Sequence, residues 1–321
     1  MDLLSKVRED PYYLEYIPEN EQTLEICLTA VEKSSLALQY VKRQTPEICL
    51  AAMKGGDAAA AMHFAEHQTP EICLAAVREN GLALRSIKNQ TPQLCLEAVQ
   101  QNGLAIRWVK NQTPQLCLKA VRQDGLALQY VKKENRTPEI CLAAVQQNGE
   151  ALENVTKKAQ TSEMCLLAVQ QRGYSLRFVK RQTPKICLAA VTQAGLALMY
   201  VKKQTPEICL AAVKKDGFAL EFVENQTLKI CLAAVEENGW TIQFVKNQTA
   251  TIGLKAIINV VNSLTKESFD QSQIEEEITE LVVECISLTG ASLSALKILL
   301  KAANIKEEID PETVEVILQD I

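Results

Sequence analysis

One unit of about twenty-two residues is written ten times in succession: Thr-Pro-Glu-Ile-Cys-Leu-Ala-Ala-Val-x-x-Asn-Gly-Leu-Ala-Leu-x-aromatic-Val-Lys-x-Gln. The copies start at Thr23, Thr45, Thr69, Thr91, Thr113, Thr137, Thr161, Thr183, Thr205 and Thr227, and a degraded copy starts at Thr249. At this period no unit can bury its own apolar face, so each must stack on its neighbours. Chain length then stops bounding the number of domains, because a stacked array grows without a single central core. Apolar residues make up 47% of the chain and aromatics only 5%, a mixture that favours close packing of small-residue helices over a sandwich or barrel.

The period also fits a leucine-rich repeat, whose Leu-x-x-Asn-x-Leu is faintly echoed by Val-x-x-Asn-Gly-Leu. Cap chemistry argues for helices instead. Thr-Pro-Glu supplies an N-cap acceptor, a proline at the first helical position and an acid in the first turn. Ile-Cys-Leu-Ala-Ala-Val then places apolar residues three and four apart. Asn-Gly is expected to close this helix with the glycine in the left-handed conformation. Leu-Ala-Leu-x-aromatic-Val-Lys predicts a second helix of about two turns.

Ten of the eleven cysteines occupy one position in the ten copies: Cys27, Cys49, Cys73, Cys95, Cys117, Cys141, Cys165, Cys187, Cys209 and Cys231. Neighbouring helices lie about 8–10 Å apart, beyond the roughly 7 Å that a disulfide spans between Cα atoms. Each cysteine is therefore expected to be a small buried hydrophobe, and so many free thiols suit a reducing compartment. No stretch approaches a membrane-spanning length, and the first residues carry no secretory signal pattern.

These features predict an all-α chain, a right-handed α-solenoid of about ten two-helix repeats. Residues 1–22 form an N-terminal half-cap, because Pro11–Ile17 aligns with Gly125–Val131 at the same distance from the next Thr. The array covers 23–261. Residues 262–321 read as an acidic C-terminal helical bundle or cap, with thirteen Asp and Glu against four Lys.

The string Gln204–Thr227 and its neighbours resemble the repeat of the family catalogued as domain of unknown function 4116, over about 22–261. The resemblance implies paired helices and carries no reaction and no catalytic residues. It also implies company with repeats found in bacteria, including intracellular bacteria that deliver effector proteins, and in some protists and large viruses.

Candidate sites lie where repetition leaves freedom. If the first helices line the concave wall, their solvent positions are the second, sixth, ninth and tenth after the Thr. At the sixth, mostly Ala, stand Glu97, Lys119 and Leu167. Beyond them Gln100, Arg122, Gln123, Gln146 and Gln170 form part of a glutamine-rich track. Such a track suits an extended partner, although glutamine is also an ordinary surface helix former. Lys42, Lys88, Lys110, Lys132, Lys180, Lys202 and Lys246 make a basic stripe, suited to phosphates or simply to helix ends. The aromatics Tyr40, Phe64, Trp108, Tyr130, Phe178, Tyr200, Phe222 and Phe244 are expected in the core, with base stacking as the alternative; Ser86 and Asn154 break the series. His63 and His67, four apart in the second helix of repeat two, lack a third ligand for a metal. Repeats two and six are irregular, the first through a lengthened turn and the second through Glu150, Glu153 and an inserted pair before Thr161.

No phosphate-binding glycine loop, nucleophile elbow or metalloprotease helix is present in the sequence. The expectation is a non-catalytic scaffold that binds another protein, without cofactor or metal, in the cytoplasm or, for an effector, in a host cytosol. The alternatives are a nucleic-acid-binding solenoid using the lysine stripe and an adaptor that binds through the acidic C-terminal bundle.

Overall fold

The computed structural model describes residues 2–249 together with 251–253, 255, 256, 258 and 259; the expected C-terminal bundle lies outside the described residues. Within them every regular element is helical. The chain divides into two compact units, 1–159 and 160–321, and the boundary falls in the inserted pair before Thr161. Each unit is by itself an all-α array of stacked helix pairs, the architecture of an α-solenoid. Among the described residues no helix is long and apolar enough to cross a membrane.

The first helix of each copy begins where its cap chemistry places it. Thr69 Oγ1 accepts from Ile72 N, and the same bond recurs in all ten copies and at Thr249. In repeat three this helix is Pro70–Glu79, burying Ile72, Cys73, Ala76 and Val77 on one side. The second helix, Gly81–Ser86, is a 3-10 helix rather than an α-helix. Gly81, Leu84 and Ile87 are buried at a spacing of three, the period of that helix, and Ile87 N closes it on Leu84 O at 3.3 Å. A six-residue run thus still yields two turns. Within each unit, first helices pack on first helices of adjacent copies, and 3-10 helices pack on 3-10 helices.

The expected left-handed glycine is corrected. Asn80 makes the turn in extended backbone (φ −147°, ψ 108°), and its side chain accepts from Leu82 N at 3.0 Å. Among the described residues only Gly56 has positive φ. Glycine is needed at the turn because the next copy comes so close. A Cβ on Gly103 would stand 2.5 Å from the Ala120 carbonyl oxygen and 2.7 Å from Gln123 Oε1.

Three other expectations shift. The N-terminal segment is a whole hairpin rather than a half, with an α-helix at Leu3–Glu9 and a 3-10 helix at Pro11–Tyr16. Repeat two replaces its 3-10 helix by an α-helix, Ala58–Phe64, so His67 lies beyond the helix that carries His63. The ladder aromatics are half-buried on the face of the 3-10 helices; the core beneath them is Ala and Leu or Ile.

The ten described cysteines are buried free thiols, and burial pushes every one of them up, Cys117 to about 11. They are more than small hydrophobes. In seven copies the thiol donates to the Oε1 of the glutamine five residues earlier, most closely Cys209 to Gln204 at 3.3 Å.

Repeat seven carries Ser175 where most copies have a buried alanine, and its Oγ is buried without a hydrogen-bond partner. An orphaned buried hydroxyl costs about 1–3 kcal/mol. Ser175→Ala is therefore expected to stabilise the protein by about 1 kcal/mol, seen as a higher urea midpoint at unchanged m.

Candidate functional site

Two glutamine ladders hold the copies together, and they decide which surface remains for a partner. The first uses the glutamine immediately before each Thr. Gln90 Nε2 donates to Trp108 O of the next copy at 2.8 Å, and its Oε1 accepts from Lys110 N at 3.1 Å. Gln44, Gln68, Gln112, Gln160, Gln182, Gln204 and Gln226 make equivalent pairs of bonds. In the fifth copy, lengthened by a 3-10 turn at Lys133–Asn135, Arg136 takes this place and donates to Val131 O, Asn154 O and Gln129 O. The second ladder uses the last residue of the first helix. Gln123 Oε1 accepts from Gly103 N at 2.6 Å, and its amide nitrogen donates to Gln101 O at 3.4 Å.

The predicted site residues sort accordingly. Gln123 is engaged in the second ladder, whereas Gln100, Arg122, Gln146 and Gln170 have exposed side chains. Arg122 and Gln146 line one shallow depression on the first-helix face. Glu97 is half-buried, accepting from Gln93 Nε2 at 3.0 Å with Arg78 Nη2 at 3.7 Å. Leu167 is also half-buried, and it belongs with Gln170 to the second unit. Lys119 is exposed and lines a cavity of about 710 Å³ with Lys88, Lys110, Leu96 and Leu116; no acid is among the lining residues.

The lysine stripe is partly drawn into structure. Lys110 Nζ donates to Lys88 O at 2.9 Å, Lys132 Nζ to Lys110 O at 3.0 Å and Lys202 Nζ to Lys180 O at 3.3 Å. Among the described residues no group of three or more His, Cys, Asp or Glu is placed to hold a metal ion.

The 3-10 face carries side chains not engaged in this bonding. The residue at the second position of one 3-10 helix meets the ring at the sixth position of the next. Tyr12 and Tyr40 pack edge to face at 6.2 Å, Tyr174 and Tyr200 at 6.4 Å, and Phe218 and Phe244 at 6.1 Å. In the second unit the ladder residues Tyr174 and Phe218 are exposed at 43% and 38%, and Met199, which precedes the Tyr200 rung, at 49%. In the first unit the guanidinium groups of Arg85 and Arg107 lie 5.3 and 4.9 Å from the Trp108 ring centre. A cavity of about 640 Å³ opens beside them at Ala60, Phe64 and Ser86. The break at Ser86 was visible in the sequence. The arginines were not singled out, although they occupy the position just before the ladder aromatic.

The class that fold and surface define is an all-α tandem-repeat solenoid whose repeat constants bind one copy to the next. Residues 113–158, two copies of the unit, match the model of the family described as Domain of unknown function (DUF4116), and the chain is a tandem-repeat protein similar to that family. No curated protein and no solved structure matches the chain.

Proposed function

We propose that the chain is a non-catalytic scaffold that captures another protein on the face formed by its 3-10 helices. The observation that carries this reading is that Tyr174, Met199 and Phe218 are exposed together on this face, and grouped exposed apolar side chains mark interaction surfaces. The repeat's polar constants are meanwhile engaged in inter-copy bonds. The ten free thiols suit a reducing compartment such as a cytoplasm, and delivery into a host cytosol would be the effector form of the same activity.

Affinity capture on the full chain, with and without nuclease and across a salt series, tests the proposal. A retained protein is expected to survive nuclease and to lose less than threefold in affinity between 50 and 200 mM salt. A nucleic-acid partner held at six or more phosphates would lose on the order of a thousandfold over the same interval. The double variant Met199→Glu, Phe218→Glu should release the protein, with Lys110→Glu as the control for the stripe. If 262–321 alone carried binding, the double variant would retain its partner.

A further inference from the structure

The ladder on the first unit has one empty rung. Its rule is that the second residue of a 3-10 helix packs against the sixth of the next, as in Tyr12 with Tyr40. Counted back from the glutamine that closes each copy, Ala60 stands where repeat three has Leu82, and Ser86 stands where repeat four has Trp108. Both members of the Ala60–Ser86 rung are therefore truncated. The cavity of about 640 Å³ is lined by that pair and by the rungs on either side, Leu36 with Phe64 and Leu82 with Trp108. Its size suits a ring plus flanking backbone, within the usual range of small binding pockets of about 300–1,000 Å³.

The rim has a sign. Arg85, Arg107 and His63 are exposed around the hollow, with Asp57 the one acid among the lining residues. Arg107 is also held 5.1 Å from the Tyr130 ring centre, so the two guanidiniums are placed by aromatic neighbours and still face solvent.

We propose that this hollow takes the aromatic side chain of a partner protein, from a segment in which acidic residues flank the ring. The partner supplies the missing ring of the ladder, and its carboxylates meet Arg85 and Arg107. An aromatic anchor in an apolar pocket with charged groups at the rim is how protein interfaces concentrate affinity. The proposal rests on the protein-binding reading above and adds to it a second contact, on the first unit, with its own chemistry.

The repeat itself provides the test, because Ser86→Phe and Ala60→Leu write the usual residues of other copies into the empty rung. The probe is a fluorescein-labelled Glu-Glu-Phe-Glu-Glu peptide, read by anisotropy on the full chain, with Glu-Glu-Ala-Glu-Glu and Lys-Lys-Phe-Lys-Lys as comparisons. The Phe probe is expected to bind at least tenfold tighter than either comparison. Each filling variant should weaken it at least tenfold while keeping the helical circular dichroism and melting temperature of the parent. Arg85→Glu with Arg107→Glu should turn the preference towards the lysine peptide. Equal binding of the Phe and Ala probes, unchanged binding by both filling variants, or tighter binding of an oligouridine through the same hollow would overturn the proposal. The two readings fail separately: a lysate protein retained equally by parent and Ser86→Phe removes the hollow and leaves the scaffold, whereas retention of nothing that survives nuclease removes the scaffold.

Discussion

Gly103→Ala is expected to destabilise the first unit by about 3 kcal/mol, the upper range for overpacking a close-packed site. The added methyl would stand 2.5 Å from the Ala120 carbonyl oxygen, 2.7 Å from Gln123 Oε1 and 3.0 Å from Asp124 N. Two of these atoms are backbone, so relief requires neighbouring copies to separate. Separation would also stretch the Gly103 N to Gln123 Oε1 bond of 2.6 Å. The comparison is Gly56→Ala, where φ is +103° and nothing lies within 4 Å of the added carbon. There only the backbone preference is violated, at about 1–2 kcal/mol. Urea denaturation of the two variants checks the order. A larger loss at Gly56 would mean that the repeat glycine is not held by close approach.

Gln90→Leu is expected to cost about 2 kcal/mol, because it strands the carbonyl of half-buried Trp108 at about 1–3 kcal/mol and removes the acceptor of the exposed Lys110 amide, which water can replace. Lys110 N loses its acceptor and Trp108 O its donor; the weaker contact with Cys95 Sγ is lost as well. Gln100→Ala, at an exposed helix position of the next copy, is expected to stay within about 0.5 kcal/mol. Hydrogen exchange offers a second readout, with the Lys110 amide losing protection in Gln90→Leu ahead of amides in the helix interior. Equal effects at Gln90 and Gln100 would mean that the ladder contributes nothing.

Helix positions and the Thr caps are readable in the sequence because they follow from interactions within one copy, and the stacking of copies with its buried cysteines because the period alone requires it. What was misread depends on the next copy. Asn-Gly is an ordinary left-handed helix stop when considered alone, yet Gly103 answers to Ala120, which lies seventeen residues on and is invisible to local rules. The glutamine before each Thr was part of the consensus, but its role required knowing that the aromatic carbonyl of the following copy comes within 2.8 Å. The ladder aromatics were assigned to the core for a related reason. In a six-residue 3-10 helix the period of three buries Gly81, Leu84 and Ile87 and moves the sixth position outward. Of the predicted site residues, Lys119 lines a cavity and Arg122 and Gln146 share a depression, while Gln123 belongs to the bonding between copies. Ser86 is a visible break in the aromatic series. Ala60, the other half of the same gap, was hidden by the lengthened turn of repeat two.

The glutamine ladder has a consequence for how such a chain changes length. Gln68 bonds the copy after it in the same way as Gln90 and Gln112 do, through one carbonyl and one amide of the following backbone. Because the acceptor and donor on the far side are main-chain groups, any copy can serve as the next one, whatever its variable side chains. A recombination that removes or duplicates one twenty-two-residue cassette between two such glutamines restores the same junction without compensating mutations. Variation in copy number is then nearly free of structural cost, while the exposed ladder and its empty rung are moved, lengthened or duplicated with the cassette that carries them.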